Sequence, residues 1–202
     1  MATGNNSNAD FYSISNGKIC RQFQQPTTAS VSRVNANGKT VNEEFYDYID
    51  GIITEIKTRE TTYGKQWVIT LKDDAGVQAL QMPYSGGYAA AFLKTLPNVN
   101  LSEKVVFIPK LTIEGEKKKA TLFISQNGKA LKHFYTKENP NGLPQLSQVK
   151  IKGKLVYDDS SMMDFLEKMV EKDIIPKLSK SSVPEPAMAG EASEESDDEM
   201  PF

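Results

Sequence analysis

EEFYDYIDGIITEIKTRETTYGKQWVITLKDDAGVQALQMPY, residues 43–84, is the stretch that decides the architecture. From Phe45 to Arg59 it is β-branched and aromatic, with apolar residues on both parities. Tyr46, Tyr48, Ile52 and Ile56 share one, and Phe45, Ile49 and Ile53 share the other. That pattern predicts one long bent strand passing between two sheets, with Gly51 at the bend or bulge. Thr61-Thr62-Tyr63-Gly64 predicts a turn. From Lys65 to Asp73 the period is two, Trp67, Ile69 and Leu71 alternating with Gln66, Thr70 and Lys72. Asp73-Asp74-Ala75-Gly76 is a tight turn, and Val77 to Tyr84 returns as the third strand of a meander.

Upstream, residues 1–9 are expected to be disordered. Phe11–Ser15 and Lys18–Phe23 predict a hairpin about Asn16-Gly17, a dipeptide suited to the positive φ angles of a type I′ turn. Residues 24–42 are polar, with a turn signal at Asn37-Gly38, and read as a flexible arm or a second loose hairpin. Downstream, Tyr88 to Leu96 predicts a helix stopped by Pro97. Lys104–Ile113 and Lys117–Gln126 predict a hairpin across Glu114-Gly115-Glu116, and Lys129–Tyr135 a further strand. Three strands, a helix and two or more strands is the order of an OB-fold, a small Greek-key barrel. After a loop at 139–144, Gln148–Tyr157 predicts a lone strand that extends the barrel. Ser161 to Ile175 predicts an amphipathic helix with Met162, Phe165, Leu166, Met169, Val170 and Ile174 on one face. Ser161 and Asp164 suggest a capping box, and Pro176 a stop. That face is expected to pack on the barrel, or else to mediate self-association. The fold class expected is therefore mainly β: one OB-fold barrel over residues 10–178, with an extra N-terminal hairpin and one C-terminal helix. A flexible linker and acidic tail follow over 179–202.

The 202 residues are 39% hydrophobic and 25% charged, with no apolar run long enough to span a membrane. Residues 1–10 lack the basic and apolar regions of a secretory signal. One cysteine, Cys20, excludes an internal disulfide framework and predicts a reducing cytoplasm. With one histidine, His133, it leaves no zinc-finger constellation, and neither cofactor nor metal is expected. No Walker A loop, dinucleotide fingerprint or zincin motif is present, so no enzyme is expected. Asp73-Asp74 and Asp158-Asp159 read as a turn and a helix start rather than as magnesium ligands.

The net charge of −2 conceals a division. Residues 181–202 hold seven acidic and no basic side chains, leaving 24 basic against 19 acidic in the body. A mildly basic body suits a polyanion. Binding single strands without reading sequence needs cations that follow the phosphates and aromatic faces that stack bases. The candidates are Lys57, Arg59, Tyr63, Lys65, Trp67 and Lys72 on the first hairpin, with Tyr84 beside Gly86-Gly87. On the second hairpin they are Phe107, Lys110, Lys117, Lys118, Lys119 and Phe123. Trp67 reads as core or platform, Phe107 lies in a strand apolar at both parities, and Tyr84 lines a groove or packs at a sheet edge. Phe123, on the parity of Thr121 and Ser125, reads as an aromatic among polar neighbours.

The chain ends Asp197-Asp198-Glu199-Met200-Pro201-Phe202. This resembles the C-terminal peptide of bacterial single-stranded DNA-binding proteins: several Asp residues, then an apolar residue, Pro and Phe. With the expected barrel, the plan is most similar to bacteriophage-encoded members of that class. The resemblance implies a protein that coats single-stranded DNA in replication, recombination or repair, in the host bacterial cytoplasm. The six terminal residues would recruit a polymerase, helicase or primase, and would occupy the empty groove until DNA displaces them. The body does not match the N-terminal pattern of cellular members and lacks their Gln/Gly-rich linker, which favours a monomer or dimer over a tetramer. Two alternatives stand beside it: an OB-fold RNA-binding or strand-annealing protein, and a replisome adaptor that binds no nucleic acid.

Overall fold

A computed structural model describes residues 9–115, 117–151 and 154–181; the acidic tip at 197–202 lies outside them. β1 (Asp10–Ser15) and β2 (Lys18–Phe23) form the expected hairpin, with φ of 50° at Asn16 and 77° at Gly17. β3 (Val31–Val34) and β4 (Thr40–Tyr46) form a second one, so residues 24–42 take the hairpin of their two readings. Its turn is held by the Asn35 side-chain oxygen, which accepts the N–H groups of Asn37 and Lys39.

The long strand expected from Phe45 is two strands. Phe45 and Tyr46 complete β4 against β2, the chain breaks at Asp47-Tyr48, and β5 runs Ile49–Thr61. Within β5 a register shift between Ile53 and Glu55 turns both Ile53 and Ile56, of opposite parity, into the core, which is why apolar residues fall on both parities. The meander follows with β6 (Gly64–Lys72) and β7 (Val77–Pro83). Next come α1 (Gly87–Thr95), a single 3-10 turn over Leu96–Asn98, β8 (Val105–Glu114), β9 (Lys117–Gln126) and the short β10 (Lys129–Ala130). The strand expected to reach Tyr135 stops at Ala130. β5 does pass between two partners: Ile49–Gly51 pair with β8 and Ile52–Thr61 with β6, and the register shifts between Ile53 and Glu55. Gly51 sits at φ 155°, and a Cβ there would lie 3.0 Å from the Lys72 carbonyl oxygen. Only glycine serves both demands.

The ten strands form one sheet in the order β10-β9-β8-β5-β6-β7-β1-β2-β4-β3. The sheet is not closed into a barrel, which corrects the expectation. β7 offers its outer edge to β1, in parallel, rather than to β9. The free edge of β9 lies under α1: a Cβ on Gly87 would come 2.3 Å from the Ala120 carbonyl oxygen. The missing side chain lets the helix start against that strand. The tip of the β1–β2 hairpin lies against Leu111 of β8.

Residues 147–158 are not a lone strand extending the sheet but a separate hairpin, β11 (Ser147–Ile151) with β12 (Lys154–Asp158). α2 (Ser160–Met169) starts one residue earlier than expected, with Asp159 rather than a capping box at its N-cap. Asp159 instead accepts the Ser85 hydroxyl at 2.9 Å, tying α2 to the loop before α1. Pro176 does not end the helix. The helical run continues unbroken through a π-turn over Val170–Ile174, where the Ile175 N–H donates to the Val170 carbonyl oxygen, into α3 (Ile175–Ser181), so a widened turn comes just before the residue that has no N–H to donate. Met162, Met163, Leu166, Met169, Val170 and Ile174 are buried in one cluster with Ile19, Trp67, Leu80, Phe92 and Phe107. The helix thus packs on its own sheet. Among the described residues no helix is long and apolar enough to cross a membrane.

Candidate nucleic-acid interface

The two aromatics most exposed to a core reading are core. Trp67 is 1% exposed and Phe107 wholly buried, Phe107 meeting Phe92 edge to face at 5.7 Å. Neither has a ring face for a base, which corrects both assignments. The cause is parity: each shares its face with the sheet interior.

Tyr84 and Lys65 are engaged elsewhere. The Trp67 indole N–H donates to the Tyr84 carbonyl oxygen at 3.1 Å, and the two rings stack at 5.7 Å and 8°. Lys65 Nζ lies 4.4 Å from the Tyr84 ring centre and 2.6 Å from Glu167 Oε1. The Tyr84 hydroxyl donates to Glu167 Oε2 at 2.7 Å, and Thr58 Oγ1 reaches Oε1 at 3.3 Å. This clamp fastens α2 to the meander. Burial, then the Glu167 carboxylate, pushes the Tyr84 phenol well above its ordinary range. Burial works to raise the Glu167 carboxyl, but the Lys65 and Tyr84 donors outweigh it and hold it below the usual range. A depressed folded-state value means stability present above about pH 4.5 and lost as pH falls through that value. Thermal scans should therefore show the wild type losing its margin over Glu167→Gln below about pH 4.5, the two curves converging in acid. Parallel curves would contradict the clamp.

Lys57, Arg59 and Lys72 are exposed on the opposite face of the meander. Lys57 pairs with Glu55 at 2.8 Å, and Arg59 reaches Gln81 at 3.5 Å. Tyr63 stands 84% exposed at the hairpin tip. None of these four lines a groove with the second hairpin.

The second hairpin does build a groove, of about 480 Å³, against α1. Strand alternation places Lys110 and Thr112 of β8 beside Phe123, Thr121 and Lys119 of β9 on the outer face. The register pairs Ile108 with Phe123, Lys110 with Thr121 and Thr112 with Lys119. Phe123 is 49% exposed. Across from them α1 contributes Gly87, Ala90, Ala91 and Lys94, and the segment after β10 contributes His133. That segment is pinned: Leu131 N–H donates to Ile124 O, Asn98 Nδ2 to Lys132 O, and Phe134 N–H to Lys94 O, all at 2.8–2.9 Å. Lys94, Lys110 and Lys119 make no ion pair among the described residues, and Glu114 is the one carboxylate in the lining. Burial lowers the Lys94 ammonium; burial and then Lys94 lower His133. An anion arriving here would relieve both. Lys117 and Lys118 are exposed at the β9 entrance but do not line the groove.

The structure thus gathers Lys110, Lys119 and Phe123 from the expected set and adds Lys94 and His133. Lys94 is the one charged residue in the helix Gly87–Thr95, a signal legible in the sequence. Carboxylates of both Asp pairs are taken up by the chain's own donors. Asp73 accepts the N–H groups of Ala75 and Gly76, and Asp158 that of Ser160. Among the described residues no group of three or more His, Cys, Asp or Glu side chains is placed to hold a metal ion. Comparison with family models, curated proteins and solved structures finds no match.

Proposed function

We propose that this chain binds single-stranded DNA without reading its sequence, through the groove between α1 and the β8–β9 hairpin. The observation that carries the reading is an exposed phenylalanine, Phe123, set among three lysines without acidic partners. Phosphates meet Lys94, Lys110 and Lys119, while a base stacks on Phe123. The strand order β9-β8-β5-β6-β7 supports it, since it is that of an OB-fold opened between its third and fifth strands. In this proposal the protein coats single strands during replication, recombination or repair. The sequence Asp197-Asp198-Glu199-Met200-Pro201-Phe202 supports a recruiting tip for replication proteins, and the phage-type plan rests on that tip together with the OB-like strand order, the extra N-terminal hairpin and the C-terminal helix.

Titration of oligo-dT by fluorescence anisotropy tests the groove. Three neutralised phosphates give a log–log salt slope of about −2, at about −0.7 each on single strands. Phe123→Ala weakens binding by about 1–3 kcal/mol, roughly 5- to 150-fold, with melting unchanged. A flat salt response, or full affinity in the variant, would sink the reading. Competition by RNA and duplex of the same length separates DNA coating from the RNA-binding and annealing alternatives.

A further inference from the structure

Lys94 and His133 form a wall with two sides. One faces the groove just described. The other faces a cleft of about 620 Å³ lined by Tyr135, Thr136, Lys137, Leu143, Pro144, Leu146 and Met162. We infer that this cleft is a second base-binding subsite for the same DNA strand, which crosses Lys94 on its way from the first. The inference rests on the groove reading above.

Three observations choose a nucleotide as the occupant. First, the two clefts share Lys94 and His133 in their linings, so a phosphate between them contacts the Lys94 ammonium whichever side its base enters. Second, the second cleft has Lys137 at its rim, and no carboxylate is among the residues lining it. Anion and lining are complementary. Third, its floor is apolar and built in advance. Tyr135 is 7% exposed and wedged edge to face between Phe134 at 5.0 Å and Phe165 at 5.8 Å. The covering loop is braced by its own hydrogen bonds. Thr136 N–H donates to Asn139 O at 3.0 Å, Leu143 N–H to Pro140 O at 2.8 Å, and Asn141 Nδ2 to Phe134 O at 2.9 Å. A preformed apolar slot with cations at its mouth accepts a flat base and its phosphate with little ordering cost.

The test uses full-length protein and a ladder of oligo-dT lengths carrying 4-thiothymidine at the 5′ or the 3′ end. Irradiation should crosslink one of the two ends, and not the other, to residues 135–146. Leu146→Asp, at a half-exposed position, should weaken long oligonucleotides by roughly 10-fold or more, since it removes an apolar contact with the base and sets a carboxylate beside the phosphate, and progressively less as they shorten. Crosslinks confined to 110–133, or a Leu146→Asp loss equal at every length, would overturn the subsite while leaving the first groove standing. Wild-type protein that binds no oligonucleotide overturns both readings together.

Discussion

Reversing two lysines on the outer face of the second hairpin, in K110E/K119E, is expected to remove the proposed single-strand binding. Each hydrogen bond from a charged donor to phosphate contributes about 1.5–3 kcal/mol, so losing two lowers affinity by at least about 100-fold. The new carboxylates, beside Glu114, repel what remains. Stability should hardly move, because Lys110 and Lys119 are exposed and make no ion pair among the described residues. Surface changes of that kind stay within about 0.5 kcal/mol. Anisotropy with oligo-dT and a thermal melt on the same preparation check both halves. Affinity held within threefold would move the binding site elsewhere, with the exposed Lys57, Arg59 and Lys72 face of the meander as first alternative.

Phe107→Ala works the other way. The ring is wholly buried against Phe92, and removing it leaves a cavity in the cluster that joins sheet and helices. Such truncations cost about 3–5 kcal/mol, which for a domain of this size lowers the melting temperature by roughly 6–20 °C. At a temperature where the variant is folded, its DNA affinity should match the wild type. Differential scanning calorimetry with an oligo-dT titration at 15 °C decides it. A variant that melts normally yet binds poorly would mean that Phe107 presents its ring to the ligand.

These two variants also mark what the amino acids disclose. Turns were legible because Asn16-Gly17, Tyr63-Gly64 and Gly76 carry backbone demands that few residues meet. Gly51 was legible for the same reason, and so was β5 passing between two partners. The break at Asp47-Tyr48 carries no glycine or proline, so one long strand was the natural reading. Parity placed Phe123 outward correctly in the second hairpin and left Trp67 open between platform and core; only the packed sheet resolves it. Lys65 and Tyr84 look like ligand groups until Glu167, about a hundred residues later, claims both. The groove itself was half visible. Its strand wall follows from alternation, whereas Lys94 and His133 join it only because α1 crosses the edge of β9.

The parallel ladder between β1 and β7 joins residues 68 positions apart in every pair, Asp10 with Gln78 through Ser13 with Gln81. During translation β1 emerges long before its neighbour and has only β2 for company until Val77 clears the tunnel. Docking must then close a long loop whose entropy is lost before any contact repays it. Folding is thus expected to be slowed by an early strand waiting on a late one, and a nascent chain stalled before Val77 holds a β1-β2-β4-β3 sheet and a β5–β6 hairpin without the strand that joins them.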